Sequence, residues 1–347
     1  MENSSERANG TKPPTGALRR ALFAATILMG LVAAGLGAEW ARLLYAAPRV
    51  EPNVPPMVAA IKASAQKPEH GSLVICGGGN TPDEVRQAFI ALAGGPHAHL
   101  IVIPTAHGTI NATTSARDLA PWRLKGVDTL EVFHTRSRQQ ANDPDFVKPL
   151  AKATGVWLAG GKQTLLTEAY AGTLVEGQLK SLLQRGGVIG GTSAGAAVMT
   201  RVMIDGGRDQ AVEGTGFDFF PGSVVDQHFM KRNRVGRLLG LLTRHPGLIG
   251  FGIDEGTALV VRGDHLTVLG ESYVMACLPG DLGHPTRLQV LKRGDMTELN
   301  ALRADSGSIT SALDLDEALS GSKTAQGRGE AWEARENRGT DESLGRG

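Results

Sequence analysis

Ser193 lies in Gly190-Gly191-Thr192-Ser193-Ala194-Gly195, between the apolar pair Val188-Ile189 and the small, helix-forming run Ala196-Ala197-Val198. A serine on a turn between a strand and a helix is the nucleophile-elbow arrangement, in which the hydroxyl stands clear of the sheet edge. Gly191 and Gly195 leave room for the bend. A serine hydroxyl is a weak nucleophile until a base takes its proton and a third group orients that base. The rest of the chain must therefore supply an imidazole and an acid.

Nine histidines are available. His97, His99 and His107 surround an apolar run where loop or capping roles suffice, and His97-x-His99 lacks the carboxylate spacing of a metal site. His228 differs. It ends Val224-Val225-Asp226-Gln227-His228-Phe229, a strand-like run interrupted by three polar residues. Burying Asp, Gln and His in a strand is costly without partners, so this cluster asks for a use. Asp254 and Glu255 follow the apolar run Leu248–Ile253, and either could hold an imidazole in the required tautomer. Arg232, Arg234 and Arg237 follow His228. On a helix Arg234 and Arg237, three apart, share a side, a fork suited to bidentate capture of carboxylates.

The elements that position these groups alternate. Leu73–Cys76, Leu100–Ile103, Thr129–Phe133, Val156–Ala159, Val188–Gly190 and Leu248–Ile253 are short apolar runs, with helical stretches such as Asp83–Ala93 and Thr173–Gln184 between them. This pattern predicts an α/β fold with a mostly parallel sheet sandwiched by helices. Ligands in such folds bind beyond the carboxyl ends of the strands. Ser193, Gly160-Gly161 and Gly77-Gly78-Gly79 all fall at the expected strand ends, so the fold is expected to bring them to one crevice. The triple glycine fits neither the dinucleotide fingerprint nor the Walker loop, and no lysine follows it, so it is read as a turn with close backbone approach.

Composition narrows the function. The 347 residues carry a formal charge of +1, with 20% charged and 5% aromatic residues, which argues against a nucleic-acid binder driven by a global basic field. Cys76 and Cys277 encode neither a disulfide framework nor a cysteine zinc site, and no metal or organic cofactor is expected. Residues 1–46 combine a basic leader (Arg19, Arg20) with an uncharged run from Ala21 to Ala38, as in an export signal or an N-terminal membrane anchor. An exported protein is expected, secreted, periplasmic or tethered through residues 21–38. Residues 47–70 are a proline-rich linker, 71–303 the catalytic domain, and 304–347 a polar tail expected to be disordered.

Together, Gly160-Gly161-Lys162-Gln163, Gly191-Thr192-Ser193-Ala194-Gly195, Asp226-Gln227-His228-Phe229 with Arg232, Arg234 and Arg237, and Gly252-Ile253-Asp254-Glu255 with Thr257-Ala258 resemble the cyanophycinases. These are serine peptidases of the family that also contains aspartyl dipeptidase E. The resemblance spans about residues 71–295. It implies a class I glutamine amidotransferase-like fold, with Ser193 as nucleophile, His228 as general base and Glu255, rather than Asp254, as orienting acid. It further implies an oxyanion hole from the backbone N–H groups of Gly161 and Ala194. Gln163, Asp226, Gln227, Arg232, Arg234 and Arg237 match positions that line the substrate pocket, with Asp226 facing the substrate's guanidinium. The substrate implied is cyanophycin, a poly-aspartate chain bearing arginine on each β-carboxyl, cut from its C-terminus to β-Asp-Arg dipeptides. A homodimer is implied as well.

Three rival readings stay open. One is a dipeptidase for other Asp-containing peptides. Another is an α/β-hydrolase-type esterase pairing Ser193 with Asp254 or Glu255 and a later histidine, His265 or His284. The third is a membrane-tethered binding protein that keeps the pocket without turnover.

Overall fold

Five apolar runs form the parallel part of one sheet. In the computed structural model, which describes residues 71–123, 126–280 and 286–304 with Pro56, Ala59 and Ile61 ahead of them, these are β1 (Ser72–Cys76), β2 (His99–Ile103), β3 (Thr129–Val132), β4 (Gly155–Leu158) and β5 (Val188–Thr192). Among the described residues no helix is long and apolar enough to cross a membrane. The expected leader, the polar tail and nearly all of the proline-rich linker lie outside the described residues.

β1 and β4 are buried along their whole length, the continuous apolar pattern of strands covered on both faces. The helices between them are α1 (Asp83–Leu92), α2 (Ala112–Arg123), α3 (Arg138–Ala141), α4 (Lys148–Lys152), α5 (Gln163–Tyr170) and α6 (Leu174–Gln184). Phe89 of α1 packs edge to face on Trp122 of α2 and Trp157 of β4, and the two tryptophans meet tilted, with centroids 4.9–5.3 Å apart. The short helix α7 (Ala194–Ala197) begins immediately after Ser193.

The remaining elements are β6 (Val202–Gly206), β7 (Val212–Thr215), β8 (Ser223–Gln227), α8 (Val235–Arg244), β9 (Ile249–Ile253), β10 (Thr257–Arg262), β11 (His265–Gly270), β12 (Val274–Leu278), β13 (Arg287–Leu291), β14 (Met296–Glu298) and α9 (Leu299–Ala304). The large sheet runs β14-β11-β10-β1-β5-β4-β2-β3, with β10, β11 and β14 added antiparallel at the β1 edge. β6 and β7 form a separate two-stranded ribbon.

The run Leu248–Ile253, expected in the parallel series, instead supplies β9 of a second sheet, β13-β12-β9-β8. The reason lies in α8. Its apolar face (Leu238, Leu241, Leu242) packs with Val224, Phe229, Met230, Met275 and Cys277 into a core of its own, so β8-α8-β9 closes as a local crossover.

Two registers place the site. Cys76 pairs with Thr192, so the end of β1 lies level with the residue before Ser193. Gln227 pairs with Ile253 in the parallel β8–β9 ladder, so His228 and the Asp254-Glu255 pair emerge from adjacent strand ends.

Candidate active site

Ser193 takes φ 53° and ψ −110°, a region that a non-glycine residue enters only when its surroundings hold it there. What holds it is backbone. Its N–H donates to Cys76 O at 3.1 Å, and its carbonyl accepts from Ala196 and Ala197 N–H at 3.0 and 2.9 Å, which starts α7. The bend projects Oγ to 2.9 Å from His228 Nε2. His228 also has positive φ, 49°, and its N–H donates to Gly77 O at 2.6 Å. Its Nδ1 lies 2.5 Å from Glu255 Oε1. Gly256 N–H, one residue on, donates to Gly78 O at 3.0 Å.

The Gly77-Gly78-Gly79 turn thus braces both the histidine and the acid. A Cβ on Gly78, whose φ is 108°, would lie 2.3 Å from His228 Cε1 and 2.5 Å from Nε2. The imidazole occupies the space that a side chain would take.

Hydrogen bonding to His228 holds the Glu255 carboxyl below the ordinary carboxylate range; burial opposes this, while Lys231 and Arg232 add to it. An ionised carboxylate only accepts, so Nδ1 carries the ring proton and Nε2 offers its lone pair to the Ser193 hydroxyl. Asp254 points elsewhere. Its Oδ1 accepts from Lys231 N–H at 2.9 Å and its Oδ2 from Ser272 Oγ at 2.8 Å, tying the turn after His228 to the chain entering β12. His265 faces Glu298 at 3.6 Å rather than Ser193, and His284 lies outside the described residues.

Ala194 opens α7, so its N–H has no intrahelical acceptor. Gly161 follows β4 with φ 135°, and a Cβ there would lie 2.3 Å from Ala106 O. A Cβ on Gly160 would lie 3.5 Å from Ser193 Cβ, so this turn stands beside the serine.

The expected pocket residues divide. Arg232 is exposed. Arg234, just before α8, donates through Nη1 to Gln227 O at 2.5 Å and Gln227 Oε1 at 3.1 Å. Burial lowers its guanidinium to about 10, against the pull of Asp226, so it stays cationic at neutral pH. Asp226 does not await a substrate guanidinium: it is 0% exposed, and Arg237 Nε and Nη2 grip its two oxygens, Nε at 2.9 Å. A carboxylate that deep needs a bidentate partner, which removes Arg237 from the expected fork with Arg234. Gln163 is likewise turned inward, donating from Nε2 to Ile204 O and Asp205 O at 2.7 and 2.8 Å.

Sequence reasoning missed the bracing of His228 by the triple glycine; its signal was the glycine run itself, which no phosphate motif explained. It also missed the Asp254 tie to Lys231 and Ser272, which no sequence spacing announces. Cys76 and Cys277 are free, and burial raises both thiols, Cys277 to about 12. Among the described residues no group of three or more His, Cys, Asp or Glu side chains is placed to hold a metal ion.

An elbow serine on an α/β sheet edge, facing an imidazole backed by a carboxylate, defines a serine hydrolase. The chain belongs to peptidase family S51, whose family model matches residues 72–269, and it is a serine-type peptidase of the cyanophycinase type. A cyanophycinase of Nostoc sp. (strain PCC 7120 / SAG 25.82 / UTEX 2576) is 34% identical over 210 residues, 58% of this chain and 70% of that protein. One from Geminocystis herdmanii (strain PCC 6308) is 36% identical over 200 residues, 55% of this chain and 73% of that protein. The crystal structure of a peptidase from an acI-B1 Actinobacterium shares the fold, with TM-score 0.53 and 24% identity over 66% of this chain and 97% of that one.

Three outcomes are expected. Gly78→Ala displaces the imidazole and strains the turn, so kcat falls at least about 100-fold, as when a general base is lost, while circular dichroism still reports a folded chain; wild-type turnover would contradict the bracing role. Arg237→Met removes the bidentate partner of buried Asp226, leaving it only Arg234 Nη1 at 3.5 Å, and costs about 3 kcal/mol in urea unfolding, and adding Asp226→Leu restores much of it. Glu255 is depressed in the folded state, so the stability it contributes is present above the ordinary carboxylate range, about 4.3, and is lost as pH falls through the depressed value. The Tm advantage of wild type over Glu255→Gln should therefore shrink on acidification from pH 7 to 3, and a constant difference would contradict the assignment.

Proposed function

We propose that this protein is an acyl-enzyme exopeptidase that cuts the poly-aspartate chain of cyanophycin to β-Asp-Arg dipeptides. Ser193 Oγ attacks the scissile main-chain carbonyl while His228 Nε2 takes its proton. Glu255 stabilises the imidazolium that forms. The backbone N–H groups of Gly161 and Ala194 receive the tetrahedral oxyanion, where each donor contributes about 10²–10³ in rate in comparable sites. His228 then returns its proton to the leaving amine, and water activated by the same ring hydrolyses the ester. The observation that carries this reading is the hydrogen-bonded series Ser193–His228–Glu255, at 2.9 and 2.5 Å, in a chain of family S51.

The substrate follows from charge. Lys231, Arg232 and Arg234 follow His228 directly, and both Lys231 and Arg232 act electrostatically on Glu255. Such a cationic margin favours a polymer with one free carboxylate on every unit, here the α-carboxylate of the arginine amide-linked to each aspartate. The names of the similar cyanophycinases support the same choice. From the basic leader and the uncharged run at 21–38 we further propose that the peptidase is exported and meets the polymer outside the cytoplasm.

The test uses insoluble cyanophycin as substrate, with soluble products identified by mass. Wild type should release β-Asp-Arg. Ser193→Ala should lower kcat by about 10⁶, the loss seen when a serine peptidase loses its nucleophile. Near-normal release by that variant would end the mechanism. Activity confined to short Asp-containing dipeptides would transfer the assignment to the dipeptidase reading.

A further inference from the structure

The strand ends form a row: β1 under His228 and Glu255, then β5 with Ser193, β4 with Gly161-Lys162, β2 with Ala106-His107, and finally β3, followed by Arg136. Cations lie at both ends of this row. On the β1 side are Lys231, Arg232 and Arg234. On the far side are Lys162 and Arg136, both exposed, and neither has a role in the chemistry.

Arg136 is anchored without being neutralised. Its Nη2 donates to His107 O and to Gly108 O, the latter at 2.9 Å, and among the described residues no carboxylate pairs with it. Nε and Nη1 have no partner among the described residues. The ground beneath it is rigid. Thr105 Oγ1 joins His134 Nδ1 at 2.8 Å and Tyr170 OH at 2.6 Å, and Thr135 N–H donates to that same phenol oxygen at 3.2 Å. His107 Nε2 meets Asp118 Oδ2 at 2.8 Å, so the nearby acid is already taken. The loop that carries Arg136's head group touches the oxyanion turn, because Lys162 N–H donates to Ala106 O at 2.8 Å and His107 N would lie 3.1 Å from a Cβ on Gly161. A guanidinium held by one nitrogen with the rest of its fork free is a carboxylate receptor with little ordering left to do.

We propose that Arg136, with Lys162 beside it, is a carboxylate subsite for the body of the β-Asp-Arg polymer, reached across the oxyanion turn from the scissile bond. The proposal rests on the reading of the preceding subsection. Geometry sets the reach. The head group lies over the β2 loop, two strands from Ser193, or about 10 Å at roughly 4.8 Å per strand. An extended main chain covers that distance in about three residues at roughly 3.3 Å each. The subsite therefore holds the free α-carboxylate of an arginine branch about three residues from the cut, and substrates shorter than this never reach it.

The experiment is a length series of β-Asp-Arg oligomers, from the dimer to about ten units, with kcat and KM measured for wild type, Arg136→Gln, Arg136→Lys and Lys162→Gln. The ratio of variant to wild-type KM for Arg136→Gln should grow about tenfold between the shortest and longest substrates, the scale of one lost charge-assisted contact. Arg136→Lys should recover part of it, since charge is kept and the fork lost. Lys162→Gln should show the same length dependence at smaller amplitude, which tests the surface even where Arg136→Gln folds poorly. A KM ratio independent of length in all three variants, or a kcat loss equal at every length, overturns the subsite. Failure of wild type to cleave any oligomer overturns the proposed function, and the subsite with it, so the two failures are told apart by the wild-type row alone.

Discussion

The structure depends on one constraint: the His228 ring must lie flat over a backbone with no side chain while touching a hydroxyl on one nitrogen and a carboxylate on the other. Gly78 provides that surface. Gly77 and Gly78 carbonyls then fasten the main chain of His228 and the turn carrying Glu255 to the end of β1. Because β1 also pairs in register with β5, the same strand end takes the Ser193 N–H through Cys76 O. Three residues from distant stretches of chain are thereby referred to a single strand terminus. A displacement of any one of them is resisted by backbone hydrogen bonds rather than by flexible side chains.

That arrangement holds strain. Ser193 and His228 both have positive φ, where β-carbon crowding costs on the order of 1 kcal/mol or more each. The cost is met by the surrounding core: α7 is buried throughout, and the apolar face of α8 closes the second sheet beneath His228. The buried Asp226–Arg237 pair belongs to the same support. It ties β8 to α8 and leaves Arg234 at the helix start, so the polar cluster that looked like a binding surface is largely the frame of one.

Much of this was legible in the sequence, for identifiable reasons. Strands buried on both faces are continuous apolar runs, so β1, β2, β4 and β5 stand out, and the elbow serine is marked by glycines that permit its bend. His228 is visible because Asp-Gln-His within an apolar run is costly unless used. What was hidden depends on long-range closure. Leu248–Ile253 has the same local pattern whether it joins the large sheet or a second one, and only the packing of α8 decides. Helical spacing put Arg234 and Arg237 on one face, whereas the helix begins at Val235 and the burial of Asp226 claims Arg237. The choice between Asp254 and Glu255 turns on which carboxylate faces the ring, and adjacent residues look alike until Lys231 and Ser272 are seen to occupy Asp254.

The claim that the rest of the account hangs on is that Ser193 is made nucleophilic by His228. Intact-protein and peptide mass spectrometry after reaction with a fluorophosphonate measures this directly. The account predicts a single phosphonylated peptide containing Ser193, with labelling slowed by orders of magnitude in His228→Ala. Labelling at another residue, or equal rates in wild type and His228→Ala, would contradict it.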